Sequence, residues 1–218
     1  MMILKKNSKI AIIDFYMGNL LSLKRAFDKF NTKTIITNKE EEIIDADIVV
    51  LPGVGAFKQA MENIIKLKLD RLIYKLVEMN IPILAICLGA QLLMDESEEH
   101  GKTQGLGLIK GKVVKIKTEF KLPRVEWDNI NSTKFGNKKF FFSNIKNKDR
   151  YYFIHSYKII CENEKNLDFY SHYNNELISS IISKKNIIGT QFHPEKSSIS
   201  GLNFIKNYLE FFLFNEKS

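Results

Sequence analysis

The sequence predicts an α/β fold in which an open, mixed and mainly parallel sheet is flanked by helices. In the first ninety-odd residues, short apolar segments typical of buried strands alternate with longer segments whose apolar residues recur at helical spacing. This alternation favours parallel strands joined by helices that cover both faces of the sheet. Three predicted strands also end in unusual residues, at Asp14, Pro52–Gly55 and Cys87. In a parallel sheet these carboxyl ends lie along one edge, where functional groups gather.

Each element of the first half has its own pattern. The first strand is an apolar run bounded by charge, and the first helix carries leucine and phenylalanine at helical spacing. A long helical pattern after the third strand is interrupted near Lys68, which predicts two helices. In chain order we expect a strand at 9–14, a helix at 18–30, strands at 34–37 and 48–51, two helices within 56–79, and a strand at 82–86.

The pattern changes after Gly105. Residues 107–117 alternate in part between apolar and polar, and shorter apolar segments follow, as is typical of a more antiparallel region. These shorter segments lie near Phe140, Tyr152, Ile178 and Ile187. The last segment, 204–214, predicts a buried closing helix. No linker, repeat or low-complexity tract interrupts the chain, so we expect a single domain over residues 1–218.

Composition narrows the classes of function. Hydrophobic residues make up 44% of the 218 positions, as in a folded globular protein, and no apolar run is long enough to span a bilayer. The start lacks the layout of a signal peptide, so we expect a cytoplasmic protein that contacts no membrane. The net charge of +8 could attract nucleic acid or a phosphorylated substrate. Because the lysines are scattered and no nucleic-acid-binding motif accompanies them, we favour a surface bias and expect no nucleic-acid partner.

Neither a metal site nor a disulfide framework is indicated. The four histidines are far apart, no CxxC motif occurs, and two cysteines are too few for a framework. We therefore expect no metal, no cofactor, and free thiols at Cys87 and Cys161. Cys161 follows two isoleucines, and we interpret it as a packing residue.

Cys87 raises the main functional question, because it stands between an apolar strand and a helical segment in the sequence ILAICLGAQLL. Unpaired N–H groups in the first turn of a helix, together with the helix dipole, favour a thiolate, which is the nucleophilic form. Gly89 allows a tight bend and close approach of a substrate, as in the nucleophile turns of serine hydrolases. These residues alone do not distinguish a nucleophile from a buried structural cysteine.

A second motif, GTQFHPE at 189–195, favours the nucleophile. Histidine exchanges protons near neutral pH, and a carboxylate two residues later can orient the ring through a hydrogen bond. Pro194 stiffens the turn that holds both side chains. An ordinary surface turn could have the same tripeptide. Its occurrence with a strand-end cysteine in an α/β chain disfavours that interpretation and favours a catalytic role for His193.

These motifs resemble those of the class I, triad-type glutamine amidotransferases, in which the nucleophile loop is I-C-L-G-x-Q and the distal motif is Q-F-H-P-E. The resemblance implies their flavodoxin-like fold. Within this family the chain most resembles the glutaminase subunits of imidazole glycerol phosphate synthases. Pro52–Gly55 has the sequence Pro-Gly-Val-Gly, where related glutaminases of vitamin B6 synthesis have Gly-Gly-Glu-Ser. Matching segments follow the family's order over nearly the whole chain, at 14–20, 52–57, 96–99, 105–109, 152–157 and 193–197.

The resemblance implies roles for individual residues. Cys87 would attack the side-chain amide of glutamine, His193 would protonate the departing ammonia and then activate water, and Glu195 would orient His193. Backbone N–H groups of Leu88 and of the 52–55 loop would hold the oxyanion. The positions implied in substrate binding are Gly53, Gly55, Leu88, Gln91, Ser156 and Tyr157.

The resemblance also implies a partner in a heterodimer. In the family, ammonia passes to a (β/α)₈ cyclase subunit, which makes imidazole glycerol phosphate and aminoimidazole carboxamide ribonucleotide. Binding of that subunit switches the glutaminase on. The residues implied at the partner interface or ammonia exit are Asn19, Arg124, Glu126 and Trp127.

Two departures from the family pattern leave the triad untouched. Tyr16 stands where the first loop usually has glycine. The segment 123–128 reads Pro-Arg-Val-Glu-Trp-Asp where the family has Pro-His-x-Gly-Trp-Asn, so Arg124 replaces histidine and Glu126 replaces glycine. These departures leave a second hypothesis open, a paralogous subunit that feeds ammonia to another synthase, such as a sugar amidotransferase of surface-glycan biosynthesis.

Two further alternatives concern activity, and one histidine needs its own interpretation. A catalytically idle binding subunit is disfavoured by the intact Cys/His/Glu set, and a free glutamine hydrolase would show turnover without a partner. His155 lies in a strand rich in tyrosine and phenylalanine. We expect it to be a structural histidine with satisfied hydrogen bonds and not a second base.

Overall fold

The computed structural model describes residues 8–136, 142, 144–146 and 148–214. The first half alternates strands with helices, as the apolar periodicity predicts. Its elements are β1 (Lys9–Ile13), α1 (Leu20–Asp28), β2 (Lys33–Thr37), α2 (Glu40–Ile44), β3 (Ile48–Leu51), α3 (Phe57–Lys66), α4 (Leu69–Glu78), β4 (Ile83–Ile86) and α5 (Leu88–Leu92).

The second half is mainly strands and ends in a long helix. Short 3₁₀ turns lie at Glu164–Asn166 and Pro194–Lys196. The other elements are β5 (Glu96–Ser97), β6 (Thr103–Gln104), β7 (Gly111–Lys115), β8 (Arg124–Asn129), β9 (Asn131–Ser132), β10 (Arg150–His155), β11 (Tyr157–Cys161), β12 (Leu167–Tyr173), β13 (Glu176–Lys184), β14 (Ile187–Thr190) and α6 (Ser198–Phe214).

Within the described residues, the main sheet has eight strands in the order β2-β1-β3-β4-β14-β13-β12-β9. In this order, neighbouring strands from β2 through β4 to β14 pair in parallel. The remaining pairs, β14 with β13, β13 with β12 and β12 with β9, are antiparallel. The predicted mixed, mainly parallel sheet is therefore confirmed. Because β14 lies beside β4 with Thr190 opposite Ile86, the chain emerges next to Cys87 just before it reaches the GTQFHPE histidine.

Helices cover both faces of this sheet because its inner strands are apolar on both sides. Ile10 and Ile12 of β1 pack in the cluster that includes α1 and α6, while Ala11 and Ile13 pack in the cluster that includes α2, α3 and α4. All four residues of β3 and of β4 are buried. Each such aliphatic side chain contributes roughly 1.5–3 kcal/mol on burial, so the strands form a rigid platform for the loops at their ends.

Two smaller sheets accompany the main one. β8 and β10 form an antiparallel ribbon, and β11, β7, β5 and β6 form the other sheet. We refer to the β8–β10 pair as the ribbon. Its strand β10 is joined to the segment after β14, because the His193 N–H donates to the Tyr152 carbonyl over 3.0 Å. The ribbon therefore lies against the triad segment.

Most element predictions are confirmed, with differences at the ends. The break between α3 and α4 occurs at Lys68, which has a left-handed backbone with φ of 58°. Helix α2 was not predicted, since its five residues are too few to show a helical period. The closing helix begins at Ser198, six residues before the expected start. The apolar segment expected near Phe140 lies outside the described residues.

Candidate active site

Cys87 lies in a sharp turn between β4 and α5, with φ of 52° and ψ of −107°. A residue with a Cβ rarely adopts this left-handed conformation, and such strain is typical of functional turns. Two hydrogen bonds hold it: the Cys87 N–H donates to the Thr190 carbonyl over 2.7 Å, and the Gln91 N–H donates to the Cys87 carbonyl over 3.1 Å. The strand–turn–helix that the sequence predicts around this cysteine is present.

Two glycines let the Pro52–Gly55 loop approach the start of α5. A Cβ on Gly89 would lie 2.0 Å from the Leu51 carbonyl oxygen, and a Cβ on Gly53 would lie 2.9 Å from the Gly89 nitrogen. Either side chain would push the loop and the helix apart. Their close approach puts the loop peptides beside Leu88, as two oxyanion donors on different elements require.

His193 and Glu195 form a buried pair in the turn after β14. The His193 Nδ1 and the Glu195 Oε1 are 2.8 Å apart, and the two side chains are 3% and 2% exposed. Because an ionised carboxylate can only accept, Nδ1 carries the proton of this bond. The other ring nitrogen, Nε2, is buried and has no hydrogen-bond partner among the described residues. The pair thus presents one free ring nitrogen for chemistry.

Ser197 fixes this pair against the ribbon. Its hydroxyl donates to the His193 carbonyl over 2.6 Å and accepts from the Tyr152 N–H over 2.9 Å. A third bond joins the His193 N–H to the Tyr152 carbonyl. The main chain around the histidine is therefore held on both sides, which limits movement of the ring.

The electrostatic surroundings favour a protonated His193. Burial alone would lower the pKa of His193, but its interactions with Cys87 and with the Glu195 carboxylate together raise that pKa to about 10. A ring in this state can donate a proton to a leaving group.

A cavity of about 780 Å³ opens beside Cys87 and His193. Of the residues implied in glutamine binding, Gly53 does not line it but packs beneath, against Gly89. The others do line it: Gly55, Leu88, Gln91, Ser156 and Tyr157. Asn19, implied at the ammonia exit, is also part of its wall. The structure thus brings Cys87, His193 and five of the six expected binding positions to one cavity.

Several cavity residues were not assigned to the site from the sequence. Most of them lie inside segments compared with the family, and those segments were the available signal. His100, Lys115 and Leu122 had none. The unassigned lining residues are Val54, Glu99, His100, Lys115, Leu122, Pro123, Ile154, His155 and Lys196.

Gln191 is a further residue of the site, and its only signal was its place in the Q-F-H-P-E motif. Its Nε2 donates to the Cys87 sulfur over 3.7 Å, and its Oε1 accepts from the Gln91 Nε2 over 3.2 Å. Gln91 also donates to the Tyr157 carbonyl over 3.2 Å. These bonds connect the nucleophile turn with β11, so the two glutamines order the cavity wall.

Tyr16, where the family usually has glycine, has a left-handed backbone with φ of 67°. This conformation explains the usual glycine, since a residue without a Cβ adopts it without strain. Here the loop is held by hydrogen bonds from the Tyr16 N–H to Asp14 and from Asn63 to the Phe15 carbonyl. The Tyr16 side chain is 70% exposed. The departure therefore adds an exposed aromatic ring to this loop.

Arg124 is fully buried, which differs from the surface contact that the sequence led us to expect. Its guanidinium donates to Glu126, Asp128 and Ser171, and it lies 4.2 Å from the centre of the Phe153 ring. A buried charge must be paired, and these oxygens pair it. Arg124 therefore acts inside the protein, where it holds two carboxylates along one face of β8.

The opposite face of the ribbon is apolar and exposed. Trp127 is 40% exposed, and its ring packs on Tyr152 with centroids 5.9 Å apart. Val125 and Ile154, which pair across the two strands, are exposed as well. Ile154 also lines the cavity, and its carbonyl oxygen lies 3.9 Å from the Cys87 sulfur. This apolar face therefore borders the site directly.

Comparison with protein families identifies this arrangement. Residues 11–210 match the family model of class-I glutamine amidotransferases. The chain belongs to this family. Two curated relatives are both named imidazole glycerol phosphate synthase subunit HisH. The one from Methanocaldococcus jannaschii is 45% identical, and the one from Lactococcus lactis is 43% identical. The matches cover 92% and 93% of this chain, respectively, and 98% of each relative.

Solved structures of other amidotransferases share the fold. A glutamine amidotransferase from Thermotoga maritima superposes with a TM-score of 0.60 at 19% identity, over 94% of this chain and 85% of that one. PurLQS from the same organism superposes with a TM-score of 0.68 at 14% identity, over 94% and 99% of the two chains. At these identities the likeness demonstrates the class I amidotransferase fold, with its flanked, mostly parallel sheet.

None of the helices in the described part of the chain has the length and apolar character needed to cross a membrane. No group of three or more histidine, cysteine, aspartate or glutamate side chains is placed there to hold a metal ion.

Proposed function

We propose that this chain is the glutaminase subunit of an imidazole glycerol phosphate synthase, acting in histidine biosynthesis in the cytoplasm. One observation carries the proposal: Cys87 and His193 line one cavity, with Glu195 bonded to His193, in a chain 43–45% identical to two HisH subunits over nearly their full length. In this proposal the whole chain is one amidotransferase domain. It hydrolyses glutamine to glutamate and ammonia without a metal or cofactor.

The first half-reaction makes a thioester. The Cys87 thiolate adds to the amide carbon of glutamine, and the negative charge moves to the amide oxygen. The Leu88 N–H and a peptide of the 52–55 loop hold this oxyanion, each contributing about 3 kcal/mol to transition-state stabilisation. His193 gives its Nε2 proton to the nitrogen, and the C–N bond breaks to release ammonia. The raised pKa of His193 supports this step, because the proton is already on the ring.

The second half-reaction releases glutamate. After donating its proton, His193 is neutral and its Nε2 can accept one from water. The activated water attacks the thioester carbon, the C–S bond breaks, and the thiolate and the protonated ring are restored. Glu195 supports both directions, because its bond to Nδ1 fixes the tautomer and stabilises the imidazolium.

The apolar face of the ribbon is the surface that we assign to the partner. Trp127, Val125 and Ile154 are exposed together beside the cavity, and such a contiguous apolar surface is typical of a protein contact. The proposed partner is a (β/α)₈ cyclase subunit that receives the ammonia. Because Asn19 and Ile154 line the cavity, they are placed to border the exit.

A second candidate is a paralogous subunit that supplies ammonia to another synthase, such as a sugar amidotransferase of surface-glycan biosynthesis. The observation that favours it is local to the ribbon. Arg124 and Glu126 depart from the family pattern, and they pair with each other just behind the proposed partner surface. A subunit that binds a different synthase would be expected to differ from the family at such positions and to keep the same triad.

Purification with the native partner tests the proposal. We expect a (β/α)₈ cyclase subunit in the complex, and we expect the complex to convert glutamine and the synthase's nucleotide substrate to imidazole glycerol phosphate. Glutamate release should depend on the partner. A different synthase in the complex, with no imidazole glycerol phosphate formed, would favour the second candidate. Full glutaminase activity of the isolated chain would instead indicate a free glutamine hydrolase.

A further inference from the structure

His155 is placed where the mechanism above gives it no role. It is 93% buried at the end of β10, and it lines the same cavity as Cys87 and His193. The sequence suggested a structural histidine with satisfied hydrogen bonds. Instead, its Nε2 is buried and has no hydrogen-bond partner among the described residues. A buried polar atom without a partner destabilises the fold, so its place beside a substrate cavity suggests a functional reason.

The tautomer of His155 follows from its one hydrogen bond. Nδ1 lies 2.8 Å from the Tyr157 carbonyl oxygen, and a carbonyl can only accept. Nδ1 therefore carries a proton. If the ring is uncharged, Nε2 has a free lone pair and can only accept a hydrogen bond. A ligand atom that meets this nitrogen must then be a donor, such as an N–H group.

The surroundings keep the ring uncharged. Burial, and the positive charges of Arg124 and His193, lower the pKa of His155 to about 3, although its bond to Tyr157 acts in the opposite direction. Arg124 is the residue paired with His155 across the ribbon, and its guanidinium bonds Glu126, Asp128 and Ser171.

We propose that the Nε2 of His155 accepts a hydrogen bond from the nitrogen that leaves glutamine, first as the amide and then as ammonia. The inference rests on the glutaminase function proposed above. An uncharged acceptor suits this step, because a protonated imidazole beside the product could convert ammonia to ammonium, which has no lone pair for attack on an acceptor. His155 holds the nitrogen without transferring a proton, while His193 supplies the proton that the C–N cleavage needs.

Two substitutions separate this contact from the structural bond. In His155→Asn, the side-chain N–H can still reach the Tyr157 carbonyl, but no group remains at the Nε2 position. In His155→Gln, the longer side chain can place its amide oxygen near that position. We expect His155→Asn to lower kcat for glutamine by about three- to tenfold, with KM changed less, and His155→Gln to lose less.

A substrate without a donor on its leaving group is the matched control. The γ-methyl ester of glutamate forms the same thioester, but its leaving oxygen carries a methyl group and no N–H. The rate of ester hydrolysis by His155→Asn should therefore stay within about twofold of wild type. Equal losses on glutamine and on ester would indicate a structural role and overturn the proposal. An unchanged rate on glutamine would overturn it as well.

The assays use the complex purified with its native partner, and thermal unfolding of each variant is measured beside them. If His155→Asn does not fold, His155→Gln provides the test through the ratio of its hydrolysis rate on glutamine to its rate on the ester. The proposal predicts a ratio within twofold of wild type, and a larger fall contradicts it. A wild-type complex that hydrolyses neither substrate would refute the proposed glutaminase function itself. Normal wild-type activity with an unaltered ratio in His155→Asn would refute only the inference about His155.

Discussion

The triad and the ribbon border the same cavity but are built differently. Cys87 and His193 follow two neighbouring parallel strands of the main sheet, and glycine contacts and backbone hydrogen bonds hold them in place. Among the described residues the ribbon consists of two strands, and a buried guanidinium with two partly exposed carboxylates organises its inner face. The triad region therefore depends on close backbone packing, whereas the ribbon depends on side-chain charge.

This difference suggests that the triad region and the ribbon have different functions. Close packing tolerates little change, because even a Cβ on Gly89 would lie 2.0 Å from the Leu51 carbonyl oxygen, and we propose that glutamine hydrolysis takes place there. A two-stranded ribbon can exchange side chains without moving the triad. Two of the residues that depart from the family pattern, Arg124 and Glu126, lie on that ribbon. We therefore expect changes in the triad to stop hydrolysis, and changes in the ribbon to alter where the ammonia goes.

The largest effect is expected for Cys87→Ala. Without the sulfur no thioester can form, so the rate of glutamate release by the complex should fall by at least about 10⁵-fold. Binding of the partner should be unchanged, because the sulfur is buried in the cavity wall. Cys161→Ala is the matched control, since burial and the nearby Asp168 raise the pKa of Cys161 to about 12. Retained hydrolysis in Cys87→Ala would refute the triad.

A somewhat smaller effect is expected for Glu195→Gln. The amide keeps the shape of the side chain but removes its charge, so kcat should fall by roughly 10³- to 10⁴-fold. Because the carboxylate helps to raise the pKa of His193, that pKa should also fall. Steady-state kinetics and NMR titration of the His193 ring measure the two effects. An unchanged pKa together with normal kcat would remove Glu195 from the mechanism.

The stability of the protein should depend on pH through His155, because its pKa is lowered in the folded protein whereas the pKa of His193 is raised. The pKa of His155 is about 3 in the folded protein and about 6.5 in the unfolded chain, so the unfolded state binds the proton first. Stability should therefore decrease as the pH falls from 6.5 toward 3. In His155→Gln this loss of stability should be smaller. Denaturant unfolding at pH 7 and pH 5 measures the free energy of unfolding of both proteins. Equal pH dependence in both proteins would contradict the burial of a neutral ring.

The smallest effect on hydrolysis is expected in the ribbon. The double change Arg124→His with Glu126→Gly should leave the rate of glutamate release within about twofold. The ratio of synthase product to glutamate should change by roughly two- to tenfold. Glu126→Gly alone is the control, because it leaves the buried guanidinium in place. A ratio of product to glutamate equal to that of wild type in both variants would show that these residues have no part in ammonia transfer.

Much of the fold could be predicted because its signals are local. Apolar runs and helical spacing predicted β1, β3 and β4, and the two helices on either side of Lys68. Helix α2 was missed because five residues show no period. The pairing of β14 with β4 could not be read from periodicity, since it joins segments about a hundred residues apart, and only the family resemblance implied that Cys87 and His193 meet.

The site was predicted where motifs are short and continuous. The sequence predicted Cys87, His193 and Glu195 as catalytic residues, and most of the residues implied in substrate binding line the cavity. It did not reveal that Arg124 is buried, because nothing local shows that Glu126, Asp128 and Ser171 converge on one guanidinium. The free Nε2 of His155 was missed for the same reason: satisfaction of a hydrogen bond depends on the three-dimensional neighbours.

The central claim is that Cys87 carries the γ-glutamyl group of glutamine during the reaction. The most direct measurement is peptide mass spectrometry of the native complex after it is mixed with glutamine and quenched in acid, which preserves thioesters. We predict a γ-glutamyl adduct on the peptide that contains Cys87, and no adduct in the Cys87→Ala complex. Rapid glutamate release with no adduct on Cys87, or with the adduct on Cys161, would contradict the claim.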